Sequence, residues 1–285
     1  MEYERATSLS DAIARLERHG DGARLVAGGH SLLPMMKLRL AVPDVLIDIN
    51  DVTELRRIWV DGDVLRIGAL ARHADLLASA IIGEHYRILH DAERLIADPV
   101  VRNWGTVGGS LCHADPAEDL SAAFGAIRAE VVARGSGGER VIPVRQLAAG
   151  PFETVLAPAE VVTEIRVPLR PGTGSAYVKV ERRAGDYAVA AAGALVRLDG
   201  DTIAEVGIGL AAVGAPHSVA VAAEQAIAGR AADDETLDLA ATAAADECAP
   251  VADQRGPSDY KRALAGELTR RALRTAVARA RGQEV

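Results

Sequence analysis

Cysteine is nearly missing from this 285-residue chain: Cys112 and Cys248 are the only two, and they form neither a CxxC pair nor a disulfide framework. Two thiols also fall short of the four thiolates of a conventional [2Fe-2S] cluster. If the chain handles electrons, its redox group is organic or sits on a partner, and a reduced cytoplasmic compartment fits best. Positive charge is scarce as well, with 32 Lys and Arg against 40 Asp and Glu and a formal net charge of −8. Nucleic acid and anionic membrane both demand a basic face, so neither is expected as the main partner, and a bound phosphate must be held locally. Long apolar runs are missing too. No segment reaches about 18 uninterrupted apolar residues, and the opening MEYERATSLSDAI lacks a basic stretch followed by an apolar one. Neither a membrane span nor an export signal is expected.

What is present is enough apolar residue, 49 % of the chain, to bury a sizeable core in two or three domains. Two glycine-centred segments stand out: Leu25-Val26-Ala27-Gly28-Gly29-His30-Ser31-Leu32, and Thr106-Val107-Gly108-Gly109-Ser110. Glycine permits positive φ and close approach to the main chain, and successive amides in such turns form concavities for phosphate oxygens, to which a serine adds a hydroxyl donor. Two such segments could grip the two phosphates of one dinucleotide from opposite sides. Taken alone, Gly28-Gly29 also reads as a plain strand-to-helix turn. The second segment is denser, with Asn103, Trp104, Gly105 and Thr106 leading into it and His113, Asp115 and Asp119 following. A carboxylate just beyond a phosphate loop can accept from sugar or ribityl hydroxyls.

The surrounding pattern mixes strands and helices in an α+β fashion. Ser8 starts a helix with Leu9, Ile13 and Leu16 on one face and Gly20 as its stop. Arg24 to Ala27 reads as a strand entering the first glycine segment, Pro34 suits an early helical position, and 44–49 reads as a buried strand. Two alternating runs about Asp61-Gly62-Asp63 predict a hairpin, and Gly135-Ser136-Gly137-Gly138 predicts another. Helical periodicity covers 72–82 and 86–96, and 98–115 reads as irregular. Arg170-Pro171-Gly172-Thr173-Gly174 has the composition of a linker. Beyond it, strands are expected over 176–180, 188–198 and 203–213, then helices over 217–228, 236–248 and 258–281. The domains are expected at 1–172, with subdomains of about 1–55 and 56–172, and at 175–285.

Three other patterns carry less. Gly207-Ile208-Gly209 opens a GxG, but Gly214 falls too late for GxGxxG and the run reads as one strand. His113, Asp115, Glu118 and Asp119 are possible metal ligands in type, yet Pro116 interrupts them and no second imidazole stands at helical spacing. Ser31 and Ser110 lie in no GxSxG elbow.

The stretches AGGHSLLPMMKLRLAVPDVLIDIN at 27–50, RNWGTVGGSLCHADPAEDL at 102–120 and YVKVERRAGDYAVAAAGALVRL at 177–198 resemble the FAD-binding medium subunits of the molybdenum hydroxylases, in particular the aerobic carbon monoxide dehydrogenase branch. The resemblance runs over nearly the whole chain. It implies a PCMH-type FAD-binding fold, two α+β subdomains clasping the cofactor, followed by a flavoprotein C-terminal domain of antiparallel sheet and helices. By the same resemblance, residues 25–32 and 106–110 would hold the diphosphate region of non-covalent FAD, and Asp119 would bond a cofactor hydroxyl. Val162 would pack near the isoalloxazine, Lys179 would lie by its pyrimidine edge, Tyr187 would sit beside the ring and Ile96 would add an apolar contact. Core packing suits Val162, Ile96 and Tyr187 as well, and a solvated strand face suits Lys179. Two departures are visible: Trp104 stands where the family often has a basic residue, and Glu118 where a small one is common.

The implied role is electron transfer. A molybdenum-containing large subunit would act on substrate, an iron–sulfur small subunit with [2Fe-2S] clusters would pass electrons, and FAD on this chain would hand them to quinone, oxygen or NAD. A heterohexamer, a dimer of heterotrimers, is the implied assembly, cytoplasmic or held peripherally on the inner face of the membrane. Carbon monoxide, purines, N-heterocycles and aldehydes stay open as substrates. Two rival readings are a self-sufficient flavoprotein that meets its own organic substrate, and a binding module that has lost FAD.

Overall fold

The computed structural model describes residues 1–285, the side chain of Pro216 excepted. The first unit is a small parallel sheet in the order β1-β3-β2, made of β1 (Glu2–Arg5), β2 (Ala23–Val26) and β3 (Val45–Asp48), with α1 (Leu9–His19) and α2 (Leu32–Lys37) in the connections. Ser8 accepts from the Asp11 amide and Gly20, at φ 55°, ends α1, as the sequence suggested. β1 was not expected. It is held by pairing Glu2 to Arg5 alongside Val45 to Asp48, a partner that no local pattern reveals.

The second unit is an antiparallel sheet in the order β4-β5-β10-β6-β7. Its strands are β4 (Ile58–Asp61), β5 (Val64–Gly68), β6 (Glu130–Gly135), β7 (Gly138–Pro143) and β10 (Val161–Pro168), with β8 (Ala148–Gly150) and β9 (Glu153–Thr154) as a separate short pair. Both expected hairpins form, β4–β5 about Gly62 and β6–β7 into Gly138. Between β5 and β6 the chain forms α3 (His73–Ala78), α4 (Ala80–His85), α5 (Arg87–Leu95), α6 (Pro99–Trp104), α7 (Val107–His113) and α8 (Asp119–Ala126). Two expectations need correction. The helix read over 72–82 breaks at Ser79, which leaves helical geometry and caps the Ile82 amide. The stretch read as irregular over 98–115 is two short helices. Asp98 caps the first, with Pro99 at its opening position, and Thr106 caps the second by accepting from Gly109.

The third unit is an antiparallel sheet of β11 (Thr173–Val180), β12 (Ala190–Asp199) and β13 (Thr202–Ala211), covered by α9 (Val221–Ile227), α10 (Asp234–Glu247) and α11 (Ser258–Ala280). Thr173 and Gly174, read as linker, already belong to β11. Both faces of β12 are buried, because its alternation divides two cores. Ala190, Ala192, Ala194 and Val196 face the helices of this unit, while Ala191 and Leu195 join the core of the second unit. Gly207 and Gly209 explain themselves in this setting: a Cβ on either would lie 1.9 Å from the Ala126 or Ala122 carbonyl oxygen, so α8 rests directly on β13. The GxG is a packing device. Among the described residues, no helix is long and apolar enough to cross a membrane.

Candidate functional site

β2 delivers the chain into the first glycine segment at one wall of a cavity of about 930 Å³. The second glycine segment, the start of α8, β10 and the connection from β11 to β12 form the other walls, so all three units contribute. Leu25 to Leu32 all line this cavity, as do Thr106, Gly108, Gly109 and Ser110. Ile96, Asp119, Val162, Lys179 and Tyr187 line it too. Val107 does not; its side chain is fully buried in the core of the second unit.

The two glycine segments differ in what they offer. Among the described residues, the five consecutive amides from Gly28 to Leu32 donate to nothing within the chain. Gly29 sits at φ 73°, a conformation costly to other residues, and sets the turn that lines these donors up. The second segment was expected to present a matching cradle, and this needs correction. Val107 donates to the Ala71 carbonyl at 3.0 Å, Gly108 to Ala69 at 2.9 Å, Gly109 to the Thr106 hydroxyl at 3.2 Å and Ser110 to the Thr106 carbonyl at 2.9 Å. Gly108 is small because a Cβ would come within 2.6 Å of that of Ala69. What remains for a ligand on this side is the bare surface at Gly109 and the Ser110 hydroxyl, which has no partner among the described residues.

The segments touch. A Cβ on Gly28 would lie 2.2 Å from the Trp104 carbonyl oxygen and 2.7 Å from Gly105 Cα. A strap that the sequence did not suggest fixes this crossing. The Arg72 guanidinium donates to the Trp104 carbonyl and, at 2.6 Å, to Asn50 Oδ1, while the Asn50 amide donates to the Ala27 carbonyl at 2.8 Å. Arg72 lies outside the three quoted stretches and Asn50 merely closes the first of them, and their role comes only from the spatial meeting of two units. Behind the crossing, His73 Nδ1 meets both Glu93 carboxylate oxygens at 3.1 Å, with Glu93 fully buried. Burial opposes a charged imidazole, yet the adjacent Glu93 carboxylate carries the His73 pKa above its ordinary value.

Beyond the glycine segments the cavity is lined by committed polar groups. Lys179 donates to Asp119 at 2.9 Å and to the Leu95 carbonyl at 3.0 Å, and the Tyr177 hydroxyl donates to the other Asp119 oxygen at 2.8 Å. Burial raises the Asp119 carboxyl despite these partners, and raises Tyr177 well above its usual range. Glu118 caps α8, accepting from the Leu120 and Ser121 amides and the Ser121 hydroxyl; burial still pushes it up to about 7. Of the cluster considered for metal, Glu118 is thus spent on a helix cap and Asp119 on an ion pair, while Asp115 accepts from the Ala117 amide and His113 packs against Phe152. Tyr187, half exposed, has the Arg255 guanidinium over its ring at 5.7 Å.

A run of open amides is what a diphosphate requires, and the volume suits a large ligand, so these residues fit FAD. Residues 1–170 match the family model described as FAD binding domain in molybdopterin dehydrogenase, and residues 175–276 match that of the CO dehydrogenase flavoprotein C-terminal domain. The chain is 42 % identical to the carbon monoxide dehydrogenase medium chain of Hydrogenophaga pseudoflava, covering 98 % of this chain and 97 % of that one. It is 36 % identical to the glyceraldehyde dehydrogenase medium chain of Sulfolobus acidocaldarius over 95 % and 96 % of the two chains. Among solved structures it superposes on a chain of the carbon monoxide dehydrogenase from Hydrogenophaga pseudoflava that lacks the Mo-pyranopterin moiety, with a TM-score of 0.95, 44 % identity and 98 % coverage of each. The PCMH-type α+β fold, the unclaimed amides and full-length similarity agree: the chain belongs to the family of FAD-binding medium subunits of the molybdopterin dehydrogenases.

Proposed function

We propose that this chain is the electron outlet of a carbon monoxide dehydrogenase-like complex, assembled as a dimer of heterotrimers with a molybdenum-containing large subunit and an iron–sulfur small subunit. FAD, when bound, supplies the exchange of one and two electrons between the [2Fe-2S] partner and an external acceptor, quinone, oxygen or NAD. The chain's own residues bind and orient. The amides of Gly28 to Leu32 hold the diphosphate, with the Ser110 hydroxyl opposite, and Val162 and Ile96 shield an apolar flank. Lys179 places a positive charge within the cavity, its position fixed by Asp119 and the Leu95 carbonyl, and Tyr187 packs beside the ring. Asp119 reaches a cofactor hydroxyl only while still holding Lys179 and Tyr177.

One observation favours a relay over a self-sufficient enzyme. Every carboxylate lining the cavity already accepts a hydrogen bond from the chain: Asp98, Asp115 and Glu118 in caps and turns, Asp119 from Lys179 and Tyr177, and Asp186 from Arg182 and the Tyr187 amide. Each is thus tied into a cap, a turn or an ion pair, Asp98 and Asp115 through one oxygen alone, and that structural use favours binding over proton abstraction. The test is anaerobic reduction with carbon monoxide. The flavin of the whole complex should bleach, and the flavin of the isolated chain should not, whatever organic donor is offered. A native complex devoid of molybdenum and iron, or an isolated chain reduced rapidly by a small donor, would overturn the relay.

A further inference from the structure

His73 is buried, 4 % exposed, and only one of its ring nitrogens is satisfied. Nδ1 is held by Glu93, whereas among the described residues Nε2 has no partner, and it is not sealed in the core, since His73 lines the cavity. The ring lies against Gly105: a Cβ there would sit 2.8 Å from His73 Cδ2 and 3.2 Å from Nε2. Gly105 in turn lies against Gly28, the first of the open amides. One glycine therefore separates the imidazole from the start of the cradle, and both border the same space.

We propose that His73 is a further ligand of the cofactor's phosphates, its Nε2–H donating to a diphosphate oxygen while Glu93 holds the opposite side of the ring. The assignment rests on FAD occupying this cavity. With Nδ1–H given to Glu93, Nε2 can donate only as part of an imidazolium, and the buried Glu93 carboxylate balances that charge. With the Arg72 guanidinium at the crossing already given to the Trp104 carbonyl and Asn50, the imidazolium adds a cation next to the anion, which backbone amides alone do not supply. A ribityl hydroxyl would instead find a neutral ring that accepts at Nε2, and the phosphate content of the ligand separates the two cases.

The test uses the whole complex stripped of flavin and titrated with FAD and with riboflavin, which carries no phosphate, following flavin fluorescence. Two variants are compared. His73→Phe combined with Glu93→Leu removes both polar groups and leaves no buried charge unpaired; His73→Gln keeps a neutral side chain beside Glu93. Thermal unfolding without flavin confirms that each is folded. Losing a charge-assisted hydrogen bond should raise the Kd for FAD by about tenfold to a hundredfold in the double variant, and by less in His73→Gln, with the Kd for riboflavin unchanged. An equal loss for riboflavin, or an unchanged Kd for FAD in either folded variant, overturns the assignment. Uptake of FAD by the wild-type complex reports separately on the reading beneath it.

Discussion

Gly28 and Trp104 are in direct contact: the Trp104 carbonyl oxygen lies 2.2 Å from where a Cβ of residue 28 would stand. Neither residue can yield easily. Gly28 leads the open amides, and the Trp104 carbonyl is held by the Arg72 guanidinium.

Gly28→Ala should therefore force the two segments apart, at a cost of about 1–3 kcal/mol typical of overpacking against a rigid neighbour. The purified complex should contain markedly less FAD per chain, with a lowered Tm. Full flavin content at an unchanged Tm would mean that the crossing is not rigid.

Lys179→Met leaves the Asp119 carboxylate buried with Tyr177 as its remaining donor. Breaking one partner of a buried pair costs about 3–5 kcal/mol, whereas removing both is far milder. In urea unfolding of the chain, Lys179→Met should be the less stable protein, and adding Asp119→Leu should restore much of the loss. Equal stability of the single and double variants would show that Asp119 is satisfied without the lysine.

Glu118 gives the chain a pH dependence of definite sign. Its carboxyl rises from an ordinary 4.5 to about 7 in the folded protein, so folding favours the protonated form. This contribution to stability is fully present below the unfolded value and is lost as pH rises through about 7, a change on the order of 3 kcal/mol. Glu118→Gln cannot titrate. Urea midpoints measured from about pH 4 to pH 8 should decline less steeply for the variant than for the wild type, and parallel curves would locate the titrating group elsewhere.

Gly209→Ala probes the seam between α8 and β13. Its Cβ would lie 1.9 Å from the Ala122 carbonyl oxygen, which is backbone and cannot rotate away. A loss of about 2 kcal/mol or more in unfolding free energy is expected, together with weaker FAD uptake, because α8 carries Asp119 into the cavity. An alanine accepted without cost would show that the helix can lift off the sheet.

Local chemistry made much of the fold legible. The Ser8 cap, the Gly20 stop, the turn at Gly62 and the strand running into Gly28-Gly29 depend on residues within a few positions of one another. The errors share a cause. Glycine lowers helix propensity, so Val107-Gly108-Gly109-Ser110 reads as a loop. Tertiary contact overrides that preference: Gly108 fits against Ala69, Val107 and Gly108 donate to the backbone leaving β5, and Thr106 caps the first turn of α7. An N-cap threonine three residues before Gly109 was the available signal. The Arg72 and Asn50 strap had none, since neither side chain has a role until Ala27 and Trp104 are brought beside it.

The sequence by itself determined a cysteine-poor, acidic chain, two glycine segments of unusual composition and a resemblance carried by three long stretches. These are properties of composition and of neighbouring residues. Only the tertiary structure decided which amides are free. A backbone N–H is a ligand donor only if no acceptor has claimed it, and in the second glycine segment Val107 and Gly108 are claimed by Ala71 and Ala69, far away in the chain, while the neighbouring Thr106 takes Gly109 and Ser110. The same reason separates Asp119 the free acceptor from Asp119 the partner of Lys179 and Tyr177: hydrogen-bonding capacity is written in residue type, but its allocation is settled by what the fold packs alongside.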